Sequence, residues 1–131
     1  MKHMRSEDGE VFVETALVGV VVMALSLGLL QFGLWYHAQH VVLGAAQDGA
    51  HAAALDGAGP ADGQERAEEL VRAGLGSISE GISISSDMTD RVASVRVETR
   101  ISAIVPFLPD LQLSAEGRAF RERFIPHGGR P

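Results

Sequence analysis

From Thr15 to Tyr36 the chain runs 22 residues without a charge. At about 1.5 Å rise per residue a helix of that length covers roughly 33 Å, enough to cross a hydrocarbon core, so the pattern predicts a transmembrane span over about 15–36. Its polar interruptions, Thr15, Ser26 and Gln31, are uncharged, and Trp35, Tyr36 and His37 close it as an interfacial aromatic belt would. The helical period does not stop there. Ala38, Val41, Val42, Ala45, Gly49, Ala52 and Ala53 continue an i, i+3, i+4, i+7 stripe, which predicts one helix over about 10–55. Small residues recur four apart along it, Ala24 with Gly28 and Ala45 with Gly49, a spacing that lets helix backbones approach closely in lipid. The expectation is a surface packing against copies of itself or related helices.

Asp56-Gly57-Ala58-Gly59-Pro60 breaks the helix, making 56–62 a linker. A second, amphipathic helix follows, with Asp62 as its N-cap, Glu65 three places on, Ala67, Leu70, Val71 and Gly74 as its apolar stripe, and Gly76 as its end. The period then changes to two. Ile82 and Ile84, then Val95 through Val105, then Leu111 through Ala119 alternate with polar residues, predicting a three-stranded antiparallel sheet with one apolar face and one wet face. The proline-bounded join Val105-Pro106-Phe107-Leu108-Pro109-Asp110 carries two large apolar side chains, expected to pack under the sheet or against the helix. The fold class is α+β, with a domain over 63–124 beyond the helix and a Gly/Pro-rich tail over 125–131 expected to be disordered.

Charge settles orientation and excludes one class of partner. Lys2 and Arg5 precede the span and the next Lys or Arg is Arg66, so the positive-inside rule keeps the N-terminus cytoplasmic in a single-pass topology and puts the domain outside. A formal net charge of -6 over 131 residues, with the basic residues scattered among carboxylates, argues against nucleic acid. With no cysteine, disulfides, thiolate nucleophiles and Cys-based zinc sites are excluded. A cleaved secretory signal is the rival for the apolar run, but the run is too long and Ala50-His51-Ala52 lies too far beyond it.

The remaining chemistry is thin. His37 and His40 share a helical face, but no third metal ligand accompanies them. Asp87 and Asp90 lack a calcium-loop pattern and read as a polar turn. The serines of 77–86 lack a nucleophile elbow, and Gly57-Ala58-Gly59-Pro60 lacks the lysine of a phosphate loop. Nothing points to an enzyme, a cofactor, a metal or a small-molecule substrate.

One residue resists the plain anchor reading. Glu14 stands beside the apolar run, where an ionised side chain costs about 2.5–3.5 kcal/mol at a helix centre and less toward an end, so it either snorkels to headgroups or asks for a partner. It is also the fifth residue after Gly9, in Gly9-Glu10-Val11-Phe12-Val13-Glu14, and Gly9 ends a short polar leader. That arrangement resembles the processing site of type IV prepilins. The resemblance implies a leader over 1–9, cleavage between Gly9 and Glu10 by a membrane prepilin peptidase, and pairing of Glu14 with the new terminal amine of a neighbouring subunit.

The order of elements, with Val13-Glu14-Thr15-Ala16-Leu17-Val18, Gln31-Phe32-Gly33 and Leu43-Gly44-Ala45-Ala46-Gln47-Asp48-Gly49-Ala50, resembles the TadE-like minor pilins of tight-adherence (type IVb) pilus systems. Many relatives carry arginines where this chain has Gln47 and His51, and a proline early in the span that is missing here. Major pilins of such systems usually have an aromatic residue where Thr15 stands, which favours a minor pilin over the shaft subunit. The resemblance implies other pilin or pseudopilin subunits and the assembly platform as partners, in the bacterial cytoplasmic membrane, with Glu14 guiding subunit register in the pilus. The alternative is an uncleaved single-pass accessory protein whose external domain binds a partner.

Overall fold

A computed structural model describes residues 2–122; the expected tail over 125–131 lies outside them. Helix α1 runs Lys2–Ala54, α2 runs Pro60–Leu75, a short 3-10 turn covers Gly76–Ile78, and three strands follow: β1 Ser79–Met88, β2 Val92–Ile101 and β3 Leu111–Phe120. The strands form one antiparallel sheet in the order β1-β2-β3. The α+β class and the element order agree with the pattern in the sequence.

α1 has two unlike halves. Residues 6–30 are exposed except for half-buried Leu27, and Gln31 is the first buried residue. From there Ala38, Val42, Ala45, Ala46, Ala50, Ala53 and Ala54 are all buried, so the second half of the helix is itself the centre of the folded head. The second half of α1 thus packs together with α2 and the sheet. α1 and α2 lie side by side on one face of the sheet, α1 chiefly over β2 and β3, α2 over β1. This is a two-layer arrangement, in which each helix buries its apolar stripe against the apolar face of the sheet.

Small residues set the spacing of the layers. A Cβ on Gly49 would come 2.8 Å from the Gly63 carbonyl, and one on Gly63 would come 2.8 Å from Ala53 Cβ and 3.1 Å from Val95 Cγ2. The two helices thus meet backbone to backbone, with Val95 rising between them. Gly117 does the same for α1 and β3, because a Cβ there would run into the Ala46 carbonyl. Farther along, Gln39 Nε2 donates to the Ser114 carbonyl at 3.2 Å and the Glu122 N–H donates to the Ala54 carbonyl at 3.1 Å, so β3 runs alongside α1 and its end covers the end of the helix.

Three details depart from the sequence pattern. α2 starts at Pro60, not after Asp62: Gly59 is the N-cap, and Asp62 occupies the third helical position, where its carboxylate accepts the Gly59 N–H at 2.7 Å. Proline at the first helical position has no N–H to orphan, so the helix can begin one turn earlier than an Asp cap suggests. Strand β2 ends at Ile101 although the alternation continues to Val105, because residues 102–110 leave the sheet and cross to α1. Finally, β1 contains a bulge between Glu80 and Ser83. Gly81 has φ of 62° there, and Thr99 Oγ1 donates to the Glu80 carbonyl at 3.1 Å.

The sheet's outer face carries the charge. Glu116 accepts from Arg118 Nε at 2.7 Å and from Arg96 at 3.4 Å, and Arg96 also lies 3.8 Å from Glu98. The hydrogen bond and charge of Arg118, then the charge of Arg96, hold the Glu116 carboxyl below its ordinary range.

Candidate functional site: the bare half of the long helix

Among the described residues, α1 is the one helix long and apolar enough to cross a membrane. Its first half presents Val11, Phe12, Val13, Leu17, Val18 and their successors to the surroundings on every side, with Phe12 75% exposed. An apolar surface wrapped around a helix belongs in lipid or among other helices, since water would leave its whole area unfavourably solvated. The backbone needs no outside help, because every interior N–H and C=O is paired along the helix. Ser26 is also satisfied locally, its hydroxyl donating to the Val22 carbonyl at 2.8 Å.

The residues singled out in the sequence divide between the two halves. Gly9, Glu10 and Glu14 lie on the bare half, all helical and all exposed, and a Cβ on Gly9 would meet nothing within 4 Å. Glu14 has no hydrogen-bond or ion-pair partner among the described residues. Ala24 and Gly28 are bare as well. Ala45 and Gly49, by contrast, are buried within this chain, and their small size serves the contacts with α2 and the sheet. Close approach at those two positions is spent inside the molecule, so of the two pairs only Ala24 and Gly28 remain exposed.

His37 is exposed, and His40 packs edge-on against Tyr36 with ring centres 4.4 Å apart. No cluster of three or more potential metal ligands occurs among the described residues. Asp87 ends up near the close of β1, while Asp90 sits at the tip of the β1–β2 turn. Thr89 closes that turn, its N–H donating to the Val92 carbonyl at 2.9 Å and its hydroxyl accepting the Val92 N–H at 3.1 Å.

Gln31 plays a part the periodicity did not assign. It is 7% exposed, and its Oε1 accepts the N–H of Ile104 at 2.6 Å, tying the β2–β3 connection to the helix at the boundary between its bare and packed halves. A polar residue interrupting an apolar run was the one available signal. Of the connection's two large apolar residues, expected under the sheet or against the helix, Leu108 lies against the helix beside Trp35 and Gly28, about half exposed, whereas Phe107 packs on neither and is wholly exposed with a positive φ of 78°.

Residues 9–51 match the family model described as TadE-like protein. No curated protein and no solved structure matches the chain. The matched stretch takes in Gly9, Glu14, the apolar surface of α1 and nearly all of its packed half, and leaves α2 and the sheet outside. Over residues 9–51, then, the chain is similar to TadE-like proteins, and the helix that carries the similarity is long and apolar enough to cross a membrane.

Proposed function

We propose that the chain is a minor pilin or pseudopilin of a tight-adherence pilus, cut after Gly9 by a prepilin peptidase and assembled through its bare helix. The observation that carries this reading is Glu14: an acid whose side chain has no partner among the described residues, on an apolar helical surface, five residues after a glycine and within the family match. Cleavage would create an α-amino group on Glu10. The Glu14 carboxylate of an adjacent subunit pairs with that amine where solvent is scarce, each charge offsetting the other's desolvation and fixing the axial register between helices. Lys2 and Arg5 keep the leader cytoplasmic, and the α+β head lies outside.

The peptidase must reach a bond held in a helix, since α1 runs unbroken through Gly9 and Glu10. Glycine weakens the helix there by roughly 1 kcal/mol relative to alanine, which favours local opening at the cut. N-terminal sequencing of the protein from its native host, or after co-expression with its prepilin peptidase, should give a mature chain starting at Glu10. A persistent Met1 or Lys2 start rejects processing and leaves the uncleaved anchored accessory protein. Glu14→Ala should leave membrane insertion intact and abolish most incorporation into pili; unchanged piliation would remove Glu14 from assembly.

A further inference from the structure

The β2–β3 connection is an unusual surface for a soluble head. From Ile101 to Pro109 it contains no Asp, Glu, Lys or Arg. Ile104 is 50% exposed, Leu108 51%, and Phe107 projects entirely clear of the protein. Phe107 also holds a left-handed φ of 78°, a conformation that strains a bulky residue and that glycine would adopt freely. A turn selected only to reverse the chain would not place its largest apolar side chain in the open at such a cost.

Position gives the surface its partner. The connection is fastened by the Ile104–Gln31 hydrogen bond to the point where α1 ceases to be packed, and its Val105 and Leu108 line a shallow apolar groove with Gly28, Phe32 and Trp35 of the bare helix. The apolar surface of α1 and that of the loop are therefore continuous. Counting back from Gln31, Val11–Leu30 is twenty residues, or about 30 Å of helix, the thickness of a hydrocarbon core. On that placement Gln31, Trp35 and Tyr36 occupy the next roughly 8 Å, the depth of the headgroup layer, and so does the loop. Its irregular backbone then stays within reach of water, as non-helical backbone must, while its side chains can point into the acyl chains.

We infer that the β2–β3 connection is a second membrane contact: with α1 spanning the bilayer, Ile104, Phe107 and Leu108 enter the acyl boundary of the leaflet facing the head. The inference rests on the anchor role of α1. It makes the head a bilayer-seated unit, with the lipid surface as the occupant of the loop's apolar face.

The test uses the full chain in phosphatidylcholine vesicles whose acyl chains carry bromine either near the headgroup or near the chain ends. Trp35 is the sole tryptophan, so Phe107→Trp and, separately, Leu108→Trp in a Trp35→Phe background each report the loop alone. Both are expected to show blue-shifted emission that shallow bromines quench more than deep ones. Water-like, unquenched emission from both loop variants, with Trp35 of the unaltered chain still quenched, overturns the loop contact and leaves the anchor standing. Blue-shifted emission that no brominated lipid quenches and that depends on protein density also overturns it, in favour of a second copy as the occupant. Loss of quenching at Trp35 as well overturns the anchor reading and the loop contact together.

Discussion

Gly117 shows how little room one residue has in this fold. A methyl group there would strike the backbone of α1 at Ala46, and backbone cannot swing aside as a side-chain tip can. Gly117→Ala should therefore destabilise the head by about 1–3 kcal/mol, as overpacking does, measured by denaturant unfolding of the full chain in detergent micelles with the sheet signal as probe. Glu116 is a residue-scale case of another kind. Its carboxyl is depressed by Arg118 and, less strongly, Arg96, so its ionised form is favoured in the folded state. The stabilisation is present above the ordinary carboxylate range and is lost as the pH falls through the lower folded value. An NMR titration should find the Glu116 midpoint below that of an isolated glutamate, and Arg118→Ala should raise it; an unmoved midpoint would show that the pair is not formed in solution.

At the scale of elements, the sheet and helices were legible because each has a period that only one structure satisfies. Val95, Val97 and Ile101 alternate with Arg96, Glu98 and Arg100, and burial alternates with them. The sequence pattern starts α2 three residues late because Asp62 fits both an N-cap and a third-position acid, and only the backbone of Gly59 distinguishes them. The end of β2 was read late for a different reason: Ala103 and Val105 keep the alternation, but the hydrogen bond that draws Ile104 to Gln31 is a contact 73 residues apart in sequence, which no local pattern carries. Gln31→Leu removes that acceptor while keeping the helix apolar. Amide exchange at Ile104 should accelerate in this variant, whereas amides in the middle of β2 should not change. Leu113→Ala, in the buried face of β3, should instead weaken the whole head by about 2–5 kcal/mol, seen as a lower unfolding midpoint.

At the scale of the whole molecule, α1 divides into a bare apolar half and a half packed into the head, and Gln31 marks the join. The site was half legible: Gly9 and Glu14 stand out in the sequence by spacing and by charge, whereas the division of small residues between Ala24 and Gly28 outside and Ala45 and Gly49 inside depends on where α2 folds back. If the hydrocarbon begins at Val11, Glu14 lies about 4.5 Å within it and not at its rim, which makes an unpaired carboxylate there more costly. Reconstituted without other pilins, the protein should bind its membrane no less firmly after Glu14→Gln, since the neutral side chain removes a charge from lipid; weaker membrane binding by the variant, measured by flotation with liposomes, would mean that the acid faces water.

The hydrogen bond from the Glu122 N–H to the Ala54 carbonyl has a practical consequence for where things can be attached. It brings Glu122 beside the end of α1, 23 residues beyond Gln31 and so roughly 35 Å along the axis from the bare half of the helix. Glu122 thus lies at the end of the head farthest from the bare half of α1, and a label attached at that residue would stand clear of the exposed apolar surface of the helix.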